Sequence, residues 1–325
     1  MSRLNQDIIV QMSGRLGNQL FQYAFGRNAQ IKSGGRLIIN FYTVEEKNKN
    51  FPDQMWGDSL KYFNTNYEAD LTPLNKFWKK YLNPVQYILL MLRGVLRSTV
   101  FKKSKFQTYD DLSRISKKIA DLFRYNSLYI FPIRPAPYQI GKEKNAYCMA
   151  FFEDESLFSE IKPILVEELT PKFPILEQNS ILYEKINDSE SVCVTIRRGD
   201  FLSEEYKEAF YICDENYFIK GVNIMKNKIK NPVFFFFSDD LDYAKEFASH
   251  VMSNSDEFYI ETPDNPIWEK MRLMSSCKHF VISNSTFSWW CQYLSTNQNK
   301  VVIGPEKWSN SSDNNSIIQD EWIKI

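Results

Sequence analysis

Apolar positions fall into short continuous runs, each followed by turn formers and then by residues with a period near four. Residues 8–12 (Ile-Ile-Val-Gln-Met) form the first run, a glycine-bearing turn follows through Gln19, and 20–27 take up helical spacing. Residues 36–41 read as a second strand. Past residue 190 the alternation is regular: apolar runs at 192–196, 233–237, 257–260, 280–283 and 301–303 are separated by helical patterns at 215–228, 240–250, 266–277 and 286–294. Such alternation predicts right-handed βαβ units, a parallel sheet and helices on both faces.

The middle of the chain is less regular. Residues 145–152 read as a buried strand, 153–168 as a helix and 175–187 as a shorter one. Two prolines between Leu169 and Pro174 mark a boundary, and 325 residues exceed one ordinary core, so the expected domains are 1–174 and 175–325. A basic helical insertion is expected near 76–118. Its window 76–109 holds eight Lys and Arg residues and no acidic one, with Val85, Ile88, Leu89, Leu92 and Leu96 at helical spacing and Arg93 and Arg97 one turn apart. Two destinations fit: packing on its own domain with a solvated charged face, or contact of 76–105 with an anionic membrane surface or a lipid-diphosphate acceptor. Residues 309–316 are a polar loop.

Composition narrows the classes. Forty basic and forty acidic side chains cancel, which removes any global argument for nucleic-acid binding. The five cysteines are scattered without a CxxC and read as reduced thiols of a cytoplasmic protein. The polar start lacks a signal-peptide pattern, and no run of about 18 apolar residues spans a membrane. His250 and His279 read as structural, and no Cys/His cluster has metal-ligand spacing.

Four strand-to-helix junctions carry the candidate chemistry. Ligands of open α/β sheets bind past the carboxyl ends of strands. Arg197-Arg198-Gly199-Asp200 follows the run 192–196; adjacent guanidinium groups suit a diphosphate, while an Arg–Asp ion pair closing the strand explains the same residues. Arg198-Gly199-Asp200 is also an adhesion tripeptide, which requires an exposed loop tip. Gly14 to Gln19 offers backbone N–H groups to an anion, or is simply a tight turn. Ser238-Asp239-Asp240 ends a phenylalanine-rich run. Asp240 and Asp242 could ligate a divalent metal, or an aspartate here could accept hydrogen bonds from a nucleobase. Ser283 to Ser288 offers hydroxyls and free N–H groups, or plain capping by Ser285 or Thr286 with Trp289 and Trp290 in the core. Asn284-Ser285-Thr286 is a glycosylation sequon that matters only in a secreted protein. Together the four junctions suggest a cleft for a nucleoside-diphosphate sugar.

From nearly end to end the chain resembles the bacterial α1,2-fucosyltransferases of glycosyltransferase family 11. The likeness rests on six blocks in order: residues 14–24 (GRLGNQLFQYA), 150–155 (AFFEDE), 197–200 (RRGD), 237–240 (FSDD), 273–279 (LMSSCKH) and 283–290 (SNSTFSWW). The resemblance implies an α/β, GT-B-like enzyme with two Rossmann-like domains facing a central cleft, the first on the acceptor side. It implies transfer of L-fucose from GDP-β-L-fucose with inversion, most often to O2 of a galactose in a cell-surface glycan, without a required metal or cofactor. Cysteine usage and the basic window, read together, point to the cytoplasm or to a peripheral position on the inner membrane.

Carried over residue by residue, Arg197 and Arg198 would neutralise the leaving diphosphate, Asp239 would read the guanine, and Thr286 and Ser288 would bind phosphate or ribose. Gly14, Gly17 and Asn18 would shape the sugar–acceptor junction, with Asn18 near the reacting centre. Thr195, Ser238, Asp240, Ser285 and Phe287 complete the implied donor site; Arg197, Arg198, Asp200 and Asn18 form the catalytic set, with Glu205 a candidate base. Two departures stand out. Thr195 replaces the histidine that opens the RRGD block in many relatives, and residues 150–155 differ from the usual GYFQSE. Two other readings stay open: a metal-dependent transferase using Asp240 and Asp242, and a non-catalytic nucleotide-sugar or glycan binder.

Overall fold

The apolar runs are continuous because the strands they form are covered on both faces. Ile8, Ile9 and Val10, and likewise Phe234 to Phe237, have at most a trace of exposed surface. The computed structural model describes residues 5–99, 107–108, 112–130, 133–134, 138–204, 206–310 and 317–325. They fold as two compact units, Met1–Leu169 and Thr170–Ile325.

The first unit is built on a five-stranded parallel sheet in the order β3-β2-β1-β7-β5. These strands are β1 (Gln6–Gln11), β2 (Gly34–Asn40), β3 (Glu68–Asp70), β5 (Leu128–Tyr129) and β7 (Asn145–Cys148); β4 (Gln107–Thr108) and β6 (Ile133–Arg134) form a separate parallel pair. Helix α1 (Leu16–Ser33) connects β1 to β2, α2 (Tyr42–Asn50) follows β2, and α3 (Leu74–Tyr81), α4 (Pro84–Thr99) and α5 (Arg114–Tyr125) lie between β3 and β5. The basic window is therefore not one helix. Proline fixes the backbone at the start of α4 and cannot donate to a preceding turn, so the helix breaks at Leu82 and Asn83.

Other boundaries also differ from the sequence reading. Helix α1 begins at Leu16 and places Gly17 and Asn18 in its first turn. The strand expected over 145–152 stops at Cys148. Phe152 then takes a left-handed backbone (φ +54°) and stacks on Phe25 with ring centroids 3.8 Å apart. The helix expected over 153–168 is two short 3₁₀ turns and then α6 (Lys162–Glu168). Pro163 lacks an N–H and is accommodated only in the first turn of the helix.

The second unit holds a six-stranded parallel sheet in the order β10-β9-β8-β11-β12-β13. Its elements are α7 (Ser180–Asp188), β8 (Glu190–Ile196), α8 (Lys207–Phe210), α9 (Glu215–Lys228), β9 (Pro232–Ser238), α10 (Leu241–Val251), β10 (Phe258–Ile260), α11 (Ile267–Ser276), β11 (His279–Val281), α12 (Thr286–Leu294), β12 (Val302–Gly304) and β13 (Ile323–Lys324). The strand order reverses at β8, the first strand of the unit. His279 is structural: its Nδ1 accepts the Val301 N–H at 3.0 Å and its Nε2 lies 3.2 Å from Glu190. All five cysteines are free and buried. No helix among the described residues is long and apolar enough to cross a membrane.

Candidate functional site

The carboxyl ends of β8 and β9 meet in register, with Ile196 opposite Ser238. Whatever follows Ile196 therefore lies beside whatever follows Ser238, and Arg197 and Arg198 come to stand against Asp239 and Asp240. Arg197 Nη1 pairs with Asp239 Oδ2 at 2.6 Å, and its Nη2 with Asp200 Oδ1. Arg198 donates its backbone N–H to Asp239 Oδ1 at 2.9 Å and pairs through Nε with Asp240 Oδ2 at 3.2 Å, while its guanidinium lies 3.6 Å over the Tyr243 ring. Each guanidinium is thus fixed on more than one side and still partly open to solvent.

The turns beneath are hydrogen-bonded from below. Ser238 is buried; its hydroxyl donates to Ile196 O at 2.9 Å and accepts the Asp240 N–H at 3.0 Å. Asp240 Oδ1 caps α10 by accepting the Tyr243 N–H at 3.1 Å. Lys270 donates to Ser238 O at 3.0 Å and pairs with Glu261 at 3.0 Å. Burial raises the Glu261 pKa against the pull of Lys270. A Cβ on Gly199 would overlap Asp239 Oδ2, so any larger residue where the loop crosses that carboxylate pushes it aside.

A pocket of about 480 Å³ opens here, lined by Arg198, Gly199, Leu202, Asp239, Asp240, Leu241 and Asp242. Two guanidinium groups sit beside carboxylates able to accept N–H donors. Such a site can take a phosphate-bearing ligand whose other end donates hydrogen bonds. Asp242 does not join the ion pairs: it is fully exposed and 3.6 Å from Lys245. Among the described residues no three His, Cys, Asp or Glu side chains are grouped to hold a metal ion.

At the end of β11 the implied residues divide. Thr195 is buried, its Oγ1 accepting the Ser283 N–H at 3.0 Å, and Ser288 is buried with its hydroxyl 3.2 Å from that of Ser283. Asn284 ties the loop down by donating to Phe210 O at 2.9 Å and Trp308 O at 3.0 Å. Ser285, Thr286 and Phe287 are half-exposed. Ser285 occupies the N-cap of α12 but makes no capping hydrogen bond, so the capping expected of Ser285 or Thr286 is absent, while Trp289 and Trp290 are fully buried as expected.

In the first unit, Gly14 takes φ +80°, and a Cβ there would lie 2.6 Å from Asn18 Cβ. Gln19 and Gln22, which sequence reasoning left without a role, hold this turn. Gln19 donates to Gly14 O (3.0 Å), Trp56 O (3.1 Å) and Gly57 O (2.9 Å) and accepts the Ser59 N–H (3.0 Å). Gln22 accepts the Ser13 N–H (3.1 Å) and donates to Ser13 O (2.6 Å) and Asn18 O (2.9 Å). Two fully buried amides in one apolar helix were the available signal, because such groups need partners. Gly17 is buried beside them, and Asn18 is half-exposed. Glu205 lies outside the described residues. Tyr243, Lys270 and Glu261 were also missed; only Tyr243 had a cue, standing one helical turn after Asp240.

The chain holds two parallel α/β units of GT-B-like type, and the second carries an arginine pair just past the carboxyl end of one of its strands. The chain matches Glycosyl transferase family 11 over residues 7–325 and belongs to that family. It is 27% identical to the alpha-1,2-colitosyltransferase of Escherichia coli over 98% of both chains. It is 24% identical to the O-antigen biosynthesis glycosyltransferase WbnK of Escherichia coli, over 97% of this chain and 99% of that one. Among solved structures, the NodZ alpha-1,6-fucosyltransferase soaked with GDP-fucose covers 93% of this chain and 95% of its own, with a TM-score of 0.52 at 13% identity, a likeness of fold.

Proposed function

We propose that the protein transfers L-fucose from GDP-β-L-fucose, with inversion, to a hydroxyl of a cell-surface glycan or oligosaccharide, O2 of galactose being the preferred acceptor atom. The observation that carries this reading is the pairing of Arg197 and Arg198 with Asp200, Asp239 and Asp240 at the β8 and β9 ends, in a chain of this family. The arginines take the diphosphate as negative charge develops on the departing GDP, a stabilisation supplied by groups already oriented. Asp239 accepts the guanine N–H donors, Ser238 and Asp240 fix its turn, and the first turn of α12, with Ser285, Thr286, Phe287 and Ser288, receives phosphate or ribose. Gly14, Gly17 and Asn18 are assigned to the junction of sugar and acceptor. Thr195 acts from below by holding the Ser283 loop. No metal is required, because two fixed cations already balance the leaving group.

A second donor is favoured by the full-length likeness to a colitosyltransferase. Colitose lacks the C3 hydroxyl of fucose, so the same leaving group and the same arginines serve both. Competition between GDP-fucose and GDP-colitose for transfer separates the two. Arg197→Ala tests the shared chemistry: we expect kcat to fall about 10²- to 10³-fold with the fold intact by circular dichroism. Turnover near wild type overturns the leaving-group role.

A further inference from the structure

Helix α4 turns an apolar face to solvent. Val85, Ile88, Met91, Leu92 and Val95 are 47–61% exposed. At about 100° per residue they fall within roughly one third of the helix circumference. The other side of the helix is already used. Leu89 and Leu90 pack in a core with Phe77, Leu82, Phe123 and Tyr147, and buried Gln86 donates to Asn126 O at 2.9 Å and Asn145 O at 3.0 Å. The exposed stripe is therefore not a core face in the wrong register. A contiguous apolar patch of this kind marks an interaction surface.

Charge selects the occupant. In sequence the window 76–109 has eight basic residues and no acid, and five of the eight (Lys76, Lys79, Lys80, Arg93 and Arg97) are among the described residues. Among the described residues Lys80 pairs with Asp70 at 3.2 Å and the half-buried Arg93 donates to Met149 Sδ at 2.8 Å, which leaves Lys76, Lys79 and Arg97 without a carboxylate. A second copy on the same face would bring two like-charged windows together, whereas an anionic surface brings the opposite charge. Sixteen residues of helix measure about 24 Å. That is short of the roughly 30 Å hydrocarbon core, so the helix suits a position in the surface of a bilayer.

We propose that α4 docks the protein on a membrane rich in anionic lipid, with Val85, Ile88, Met91, Leu92 and Val95 entering the apolar boundary and Lys76, Lys79 and Arg97 drawing it to the head groups. The docking is independent of the donor assignment, and the assay reads lipid binding without sugar transfer. Full-length protein is co-sedimented with vesicles of phosphatidylcholine alone or mixed with phosphatidylglycerol, at low and high salt. Wild type binds the mixed vesicles and releases at high salt. The double variant Ile88→Gln/Leu92→Gln loses partitioning about tenfold or more, with an unchanged melting curve because both side chains are exposed. Lys76→Gln and Lys79→Gln each weaken binding roughly fivefold at low salt. Failure of wild type to bind anionic vesicles at low salt overturns the proposal, as does wild-type binding by the double variant. So does a dimer, seen by light scattering, that the double variant converts to monomer.

Discussion

Arg197 and Arg198 are usable as an anion clamp because carboxylates hold their guanidinium groups in place. Asp239 is central: it receives a side-chain ion pair from Arg197 and the backbone N–H of Arg198. Gly199→Ala would force that carboxylate aside, and we expect GDP affinity to fall about tenfold by calorimetric titration, the cost of one misaligned charged contact, with little change in melting temperature. An unchanged Kd would remove Asp239 from the donor site. The arginine pair was legible from residue type and from the strand before it. Its partnership with Asp239 and Asp240 was not, since it depends on Ile196 facing Ser238 across 42 positions of sequence. The Thr195 hydroxyl was legible as polar, but its partner, the Ser283 N–H, lies 88 residues away on the neighbouring β11 side.

At the scale of elements, strands covered on both faces announce themselves as apolar runs, and all five runs of the second half are strands. Short polar elements do not. Strand β3 reads Glu-Ala-Asp and forms because it pairs with β2 and because Asp70 gathers donors. Asp70 accepts from Asn40 (3.2 Å), the Thr72 N–H (2.7 Å) and Lys80 (3.2 Å). Burial alone would raise its pKa, but the hydrogen bonds from Thr72 and Lys80, with the Lys80 charge, outweigh it and hold the group below its ordinary value of 3.8. A carboxylate depressed in the folded state stabilises above its unfolded pKa and loses that contribution as pH falls through its folded pKa. Asp70→Asn is therefore expected to cost about 1–2 kcal/mol near neutral pH. It should also flatten the loss of melting temperature below pH 3.8. Parallel wild-type and variant melting profiles across that range would show that Asp70 is not a pH-linked tie.

For the whole molecule, two parallel sheets in two units and the family assignment were readable from alternation and from motifs spread over the chain. The breaks at Pro84 and Pro163 were visible as residues, yet their effect depended on where each helix had to begin. The glutamine ties around Gly14 were hidden for a different reason: their partners at residues 56–59 belong to a segment with no regular pattern. The central claim is glycosyl transfer from a GDP sugar without a metal. Its most direct test is to incubate the purified protein with GDP-fucose and a panel of galactose-terminated acceptors in excess EDTA, and to determine the linkage of any product by NMR. The account predicts an α-linked fucose on galactose O2 with one GDP released for each sugar transferred. Binding of GDP without transfer, or a product formed only when a divalent metal is restored, would contradict it.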